Sequence, residues 1–259
     1  MMMVMMKLLR DTWLMFVRNV QHTVRNPVFV FASMFQPLLY LLLFMPLLNS
    51  LGGVAAGLPA GKTVDVFIPG LLVMQALFGS AFVGFSLIDD IRSGVIERWL
   101  VTPVARSSIL LGRVLRDAVV LLLQCVLITL VAIPFGLSVN AGGFLLSLVL
   151  YALVGVSMSS MSYGFALLYK VEDPLAPTLN TIALPVSLLS GIILPLALAP
   201  LWLQDIAKGN PFAYGVDAAR ALFAGNFSNI SILEGFIIIA GLAVVIFMLA
   251  LRQLDKMTS

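Results

Sequence analysis

Six stretches of the chain are apolar for long enough to cross a bilayer, roughly 28–48, 66–88, 109–136, 143–169, 177–199 and 231–251. A spanning helix needs about 20 such residues. The third and fourth runs exceed that, so they tilt or project beyond the hydrocarbon. The breaks between runs are short and rich in Gly, Pro, Asn or charge, as at Leu51-Gly52-Gly53 and Glu172-Asp173-Pro174. No internal repeat stands out, and only the Met-rich start is of low complexity. The pattern predicts an all-α polytopic membrane protein, with residues 1–259 as a single transmembrane domain of six transmembrane helices.

Three segments follow other rules. In 7–25, Leu9, Trp13, Phe16, Val17, Val20 and Val24 repeat at helical spacing, opposite Arg10, Arg18, Gln21, His22 and Arg25. Asn26-Pro27 ends that helix. A basic amphipathic helix carrying Trp and preceding a span is expected to lie in the inner membrane surface, as an anchor or a transmitter of force. In the loop 89–106, Val95, Ile96, Trp99 and Leu100 form an apolar ridge rimmed by Arg92, Glu97, Arg98 and Arg106. It reads as a short helix closed by Thr102-Pro103, longer than a connector needs to be. Such a surface suits a soluble partner. The outer segment 200–226 mixes breakers with aromatics, including Trp202, Asn210-Pro211, Phe212, Tyr214 and Phe223. A pair of short re-entrant helices dipping into the outer leaflet is expected there.

Charge sets the orientation. With the N-terminus inside, the inner segments hold twelve Lys and Arg residues and the outer segments three, namely Lys62, Lys208 and Arg220. That bias places both termini in the cytoplasm. The scatter of the basic residues between apolar runs speaks for topology rather than nucleic acid. The composition agrees: 61% of the 259 residues are hydrophobic and 10% charged, with a mean hydropathy of +1.09. A soluble domain carries about 25% charged residues, so a soluble enzyme is excluded. No cleavable signal peptide is evident at the start of the chain.

Candidate chemistry is sparse. One Cys, Cys125 in an apolar run, and one His, His22 on the polar face of 7–25, build neither a catalytic triad nor an all-His metal site. Gly57 to Thr63 looks like a phosphate-binding loop, but the first glycine position is Ala56 and the required spacing fails by one. No span places an Asp, Glu, Lys or Arg near its middle, and Glu234 sits at an outer end, so the chain lacks the titratable relay of a proton-coupled pump. Its intramembrane polar groups are neutral, among them Gln36, Gln75, Gln124, Asn180 and the Ser157–Ser162 cluster. Each serves helix–helix bonding worth about 0.6 kcal/mol or lines a pathway. Small residues around Gly155 and Ser159 suggest close helix packing. The expected pathway residues are Gln36, Gln75, Phe78, Phe82 and Asn180. An apolar lining favours a hydrophobic or amphipathic substrate such as a drug, an antibiotic or a lipid.

Three motifs, in order within this layout, carry a resemblance. The run Arg92-Ser93-Gly94-Val95-Ile96-Glu97-Arg98-Trp99-Leu100-Val101-Thr102-Pro103-Val104-Ala105-Arg106, continuing to Gly112-Arg113, is a Gly-x-x-Glu-Arg helix followed by Thr-Pro and Gly-Arg. Leu184 to Pro195 matches a fifth-span pattern, and Asn210-Pro211 with Asp217 and Arg220 matches an outer Asn-Pro…Asp-x-x-Arg segment. Together they resemble the permease subunits of type-2 ABC exporters, in the daunorubicin/doxorubicin-resistance-like branch. The resemblance implies a half-transporter in a bacterial or archaeal inner membrane. A second permease copy, in a homo- or heterodimer, would complete the pathway in contact with membrane lipid. Two cytoplasmic ATPase subunits carrying ATP and magnesium would supply the energy, so that this chain is not itself an enzyme. The segment around Gly94 to Leu100, with Pro103 behind it, would be the coupling helix. Residues 7–25 would be the connecting helix, and alternating access the mechanism. A lipid-linked saccharide is the other substrate class within such a family. A passive channel whose inner loop is a regulatory handle, and a membrane scaffold, are the rival readings from other classes.

Overall fold

A computed structural model of the chain describes residues 2–25, 28–50, 63–101, 104–192, 196 and 199–256. Every regular element among them is helical: α1 (Met2–Arg25), α2 (Val28–Ser50), α3 (Thr63–Ala81), α4 (Gly84–Arg92), α5 (Val95–Leu100), α6 (Arg106–Ala132), α7 (Ala141–Tyr169), α8 (Leu175–Leu188), α9 (Leu201–Ala207), α10 (Pro211–Phe223) and α11 (Ile230–Lys256). Four stretches among the described residues are long and apolar enough to cross a membrane: Val64–Arg92, Arg106–Phe135, Ala141–Tyr169 and Ile230–Lys256.

The central element is α7, which packs against α3, α4, α6, α10 and α11. Small residues make this possible. A Cβ on Gly155 would fall 2.4 Å from Leu121 Cδ2 of α6, and one on Gly143 would fall 1.9 Å from the Leu222 carbonyl oxygen of α10. Asn140 caps α7 by accepting from Gly143 N at 3.1 Å. Two apolar cores result, one around Leu72, Leu77, Ile128, Tyr151 and Val216, the other around Leu87, Ile88, Ile96, Val114 and Leu254.

Two helices depart from the sequence pattern. The run 66–88 forms two helices, bent at Phe82-Val83, rather than one straight rod. At the bend Gly84 N donates to Ser162 Oγ at 2.9 Å, and any Cβ there would overlap that side chain at 2.6 Å. Within the run 177–199, α8 stops at Leu188. Ser190 Oγ turns back to the carbonyl of Val186, and Gly191 takes φ +68 in the left-handed region that suits glycine. The Gly57–Thr63 stretch, apart from the backbone of Thr63, lies outside the described residues.

The amphipathic segment 7–25 is helical throughout as part of α1, which rests on α6. Gly112 lets it approach, since a Cβ there would sit 2.5 Å from Met15 Cβ and 3.0 Å from Phe16 N. The outer segment forms two short helices, α9 and α10, as its breakers require.

Candidate functional site

One end of the bundle, which the charge bias assigns to the inner side, is organised around the six-residue α5. Ser93 N donates to Asp89 O at 2.9 Å and Gly94 N to Ile91 O at 3.1 Å, which closes α4. Gly94, at φ +68, then redirects the chain into α5. This turn fixes which face looks inward. Ile96 is fully buried in the inner core, so it meets its own chain rather than an outside partner. Trp99 is half-buried, with the Arg18 guanidinium of α1 4.1 Å from its ring centroid and that of Arg113 at 5.7 Å. The outward face carries Glu97, Arg98 and Val101, the last 86% exposed. The apolar ridge read from the sequence is therefore turned largely toward the bundle, with Val95 half-buried at its edge. Arg92 pairs with Glu172 of the second inner loop, and Arg106 with Asp255 of α11 at 3.5 Å. The side chain of Leu100, and Pro103, lie outside the described residues.

Beneath α5 sits an ionic cluster that the sequence reading passed over. Arg113, with 2% of its side chain exposed, pairs with Asp90 of α4. Arg116 Nε lies 2.9 Å from Asp117 Oδ1, and its guanidinium also donates to Thr23 Oγ1 of α1 at 3.0 Å and to Tyr163 OH at 3.3 Å. Tyr163, fully buried on α7, donates to Asp117. Arg18, which lies on α1 outside the spans, has its pKa lowered by lost hydration, a shift opposed by Asp90 and reinforced by Arg113. The cluster lies near the start of α6 and leaves the expectation of no charge near the middle of a span untouched. Three of its charges, at i, i+3 and i+4, are compensated within α4, α6 and α7, with Arg113 and Asp117 buried and Arg116 15% exposed. The signal was present in that spacing, since 113, 116 and 117 share one helix face.

Three adjoining cavities follow the cluster, the first two beside α6 and the third between α2, α3 and α4. The innermost, about 150 Å³, is bordered by Arg18, Asp90, Trp99 and Arg113. The next, about 240 Å³, runs from His22, Asp89 and Arg116 to Gln124. The third, about 370 Å³, is bordered by Gln36, Gln75, Phe78 and Phe82. Four of the five expected pathway residues therefore share one cavity. Asn180 does not border it; it is half-buried on α8. Between the two larger cavities Gln75 Nε2 donates to Gln124 Oε1 at 2.7 Å, and Gln124 Nε2 donates to Ser33 Oγ at 2.8 Å.

At the opposite end, Asn210 caps α10 by accepting from Phe212 N at 3.1 Å and donates to Val186 O at 2.7 Å. Pro211 occupies the first turn of α10, where its missing N–H costs nothing. Arg220 donates to the carbonyls of Val66 at 3.2 Å, Gly191 at 2.7 Å and Ile192 at 3.3 Å. It forms no ion pair with Asp217 among the described residues, although the i, i+3 spacing would permit one.

These features, a crossing bundle with a small charged helix on its inner end, agree with a comparison at the level of families. The family model for ABC-2 type transporters matches residues 10–224. The chain belongs to the ABC-2 type transporter family. Among its relatives, the protein named as transport permease ycf38 of Porphyra purpurea is 28% identical over 215 residues, covering 79% of this chain and 71% of that protein. The daunorubicin resistance ABC transporter permease DrrB1 of Streptomyces coeruleorubidus is 28% identical over 203 residues, 77% of this chain and 70% of that one. The doxorubicin resistance permease DrrC of Mycobacterium tuberculosis H37Rv is 25% identical over 187 residues, 71% and 67% respectively. Membership makes this chain a multi-pass permease of an ABC transporter, and the drug-resistance relatives support an exporter. The family implies an ABC ATPase as partner. In that setting α5 is the inner-loop helix to examine for contact with it.

Proposed function

We propose that this permease exports a hydrophobic or amphipathic compound, driven by two copies of a cytoplasmic ATPase that bind ATP and magnesium. Two permease copies form the pathway in the cell membrane. Each has six crossings and cytoplasmic termini, with α2 and the segment that contains α8 completing the six. The observation that carries the reading is α5 itself, a charged helix whose inner face is locked to α1 and α6 while Glu97, Arg98 and Val101 stay exposed. A helix held in this way acts as a lever. ATP-driven closure of the ATPase dimer pushes on its outer face, and the Trp99–Arg18 and Ile96 contacts pass the displacement to α1 and the inner bundle. The three adjoining cavities then change access from the inner to the outer side. Residues 200–226 close the outer end while the inner side is open, with Arg220 holding the ends of α3 and α8 together.

Co-purification from the native membrane tests the reading. The solubilised chain is expected to bring down a soluble subunit with a phosphate-binding loop, identified by mass spectrometry. Glu97→Arg and Arg98→Glu should weaken that recovery without changing thermal stability, because exposed charges contribute within about 0.5 kcal/mol. Recovery of the chain alone, as a dimer without ATPase activity, would refute the exporter and favour a passive channel.

A further inference from the structure

A hydrogen-bonded pair of amides, Gln75 and Gln124, lies at the boundary between the two larger cavities. Gln124 borders the inner one and not the outer, Gln75 the outer and not the inner, while Ser33, Gly79, Phe82 and Phe85 border both. If these amides only joined helices, both would be satisfied, as buried polar groups normally are. Gln124 is, since it accepts from Gln75 and donates to Ser33. Gln75 is not. It is 2% exposed, and among the described residues its carboxamide makes the one donation to Gln124, while its carbonyl oxygen accepts nothing. Gln75 Oε1 is therefore an open acceptor at the cavity wall, available to a donor that arrives from the cavity. Space is kept for this group as well. A Cβ on Gly79, one turn along α3, would fall 2.7 Å from Gln75 Nε2 and 3.3 Å from its Cδ.

The remaining wall defines the occupant. The outer cavity, about 370 Å³, has no charged residue in its lining, and Phe78, Phe82, Met74 and Pro37 make most of it apolar. That volume lies within the range of small-molecule sites. Burying a charge there without a partner would be costly, whereas an uncharged ring system would fill it. We propose that Gln75 is a specificity-determining residue of the pathway: its free carbonyl oxygen accepts a hydrogen bond from a hydroxyl or amide N–H on an otherwise apolar, uncharged body seated in the outer cavity. The substrate class is therefore an uncharged amphiphile with a donor group, and a bare hydrocarbon is discriminated against. This meaning for transport rests on the exporter reading, but the site is tested on the permease without its ATPase, so the two fail separately.

The test compares two probes of matched shape, 1-hydroxypyrene and 1-methylpyrene, by equilibrium dialysis against the full-length chain in detergent, with protein-free micelles subtracted. The chain is expected to bind the hydroxyl probe about tenfold more tightly, the value of one neutral hydrogen bond. Gln75→Met and Gln75→Leu should abolish that preference while 1-methylpyrene still binds, which also reports an intact cavity. Gln36→Leu should keep the preference, and Phe78→Ala should weaken both probes together. A preference that survives both Gln75 variants overturns the assignment. So does the absence of saturable binding by the unaltered chain, or the loss of both probes in both Gln75 variants, which would make Gln75 a packing residue.

Discussion

Removing the Asp90 carboxylate should damage the inner junction more than removing the guanidinium it faces. The Arg113 side chain is 2% exposed and that of Asp90 32%. Asp90→Asn leaves a buried cation without its partner, and breaking a buried pair in that way costs about 3–5 kcal/mol. The lower end applies here, because Asp117 and the face of Trp99 remain near Arg113. Arg113→Met strands a carboxylate that water reaches, so its cost is expected near 1–2 kcal/mol. The double variant restores balance, since an apolar replacement of a whole buried pair is often neutral. At about 2–4 °C per kcal/mol for a chain of this size, Asp90→Asn should lower the midpoint of thermal unfolding by about 6–12 °C. The double variant should recover most of that loss. The assay is fluorescence-detected size-exclusion after heating the solubilised chain. Additive losses, with the double variant less stable than Asp90→Asn, would refute the reasoning, because they would mean that the two groups act independently.

Other perturbations address separate contacts. Gly112→Leu should lift α1 from α6, since even a Cβ there overlaps Met15 and Phe16; faster proteolysis within 2–25 would report it. Arg220→Met should loosen the outer end by leaving three carbonyls without their charged donor, at roughly 2–3 kcal/mol in all. Asp217→Asn should change the same thermal midpoint by less than about 1 °C, because it makes no ion pair with Arg220. Trp99→Leu should uncouple ATP hydrolysis from transport in the assembled complex, whereas Trp99→Phe, which keeps a ring beneath Arg18, should retain most of the coupling.

The sequence was most informative where physics is local. Long apolar runs gave helices, the amphipathic pattern of 7–25 gave α1, and Asn-Pro at 210–211 gave a capped helix start. It was least informative where partners lie far apart in the chain. Arg92 meets Glu172 across 80 residues, and Tyr163 meets Asp117 across 46, so no window could pair them. The same holds for the bend at Phe82-Val83, which depends on Ser162 pressing against Gly84. The early stop of α8 had local signs in Ser190 and Gly191, but its apolar composition outweighed them. Gln36, Gln75, Phe78 and Phe82 came together as a cavity because α2 and α3 lie side by side, and helical spacing put the last three on neighbouring faces of one bent rod.

In the inner loop, Ile96 of the expected ridge is covered by its own bundle, and Val95 and Trp99 are half-buried. Val95, Ile96, Trp99 and Leu100 have the spacing of an amphipathic helix, and such spacing identifies an apolar side without saying what covers it. The positive φ of Gly94 decides the matter by rolling Ile96 onto Leu87 and Val114. The consequence for coupling is mechanical. A helix that offered its apolar ridge to a partner would need the partner to stay seated, and would be free to detach from its own bundle. A helix that turns Ile96 onto its own bundle keeps its position in either case, and in the coupling role proposed for α5 it would meet the partner through charge and through Val101. Its contacts outward are then replaceable, while those inward are not. For the coupling role proposed for α5, substitutions at Ile96 and Trp99 should separate ATP hydrolysis from transport in an assembled complex, whereas those at Glu97 and Arg98 should act on recruitment alone.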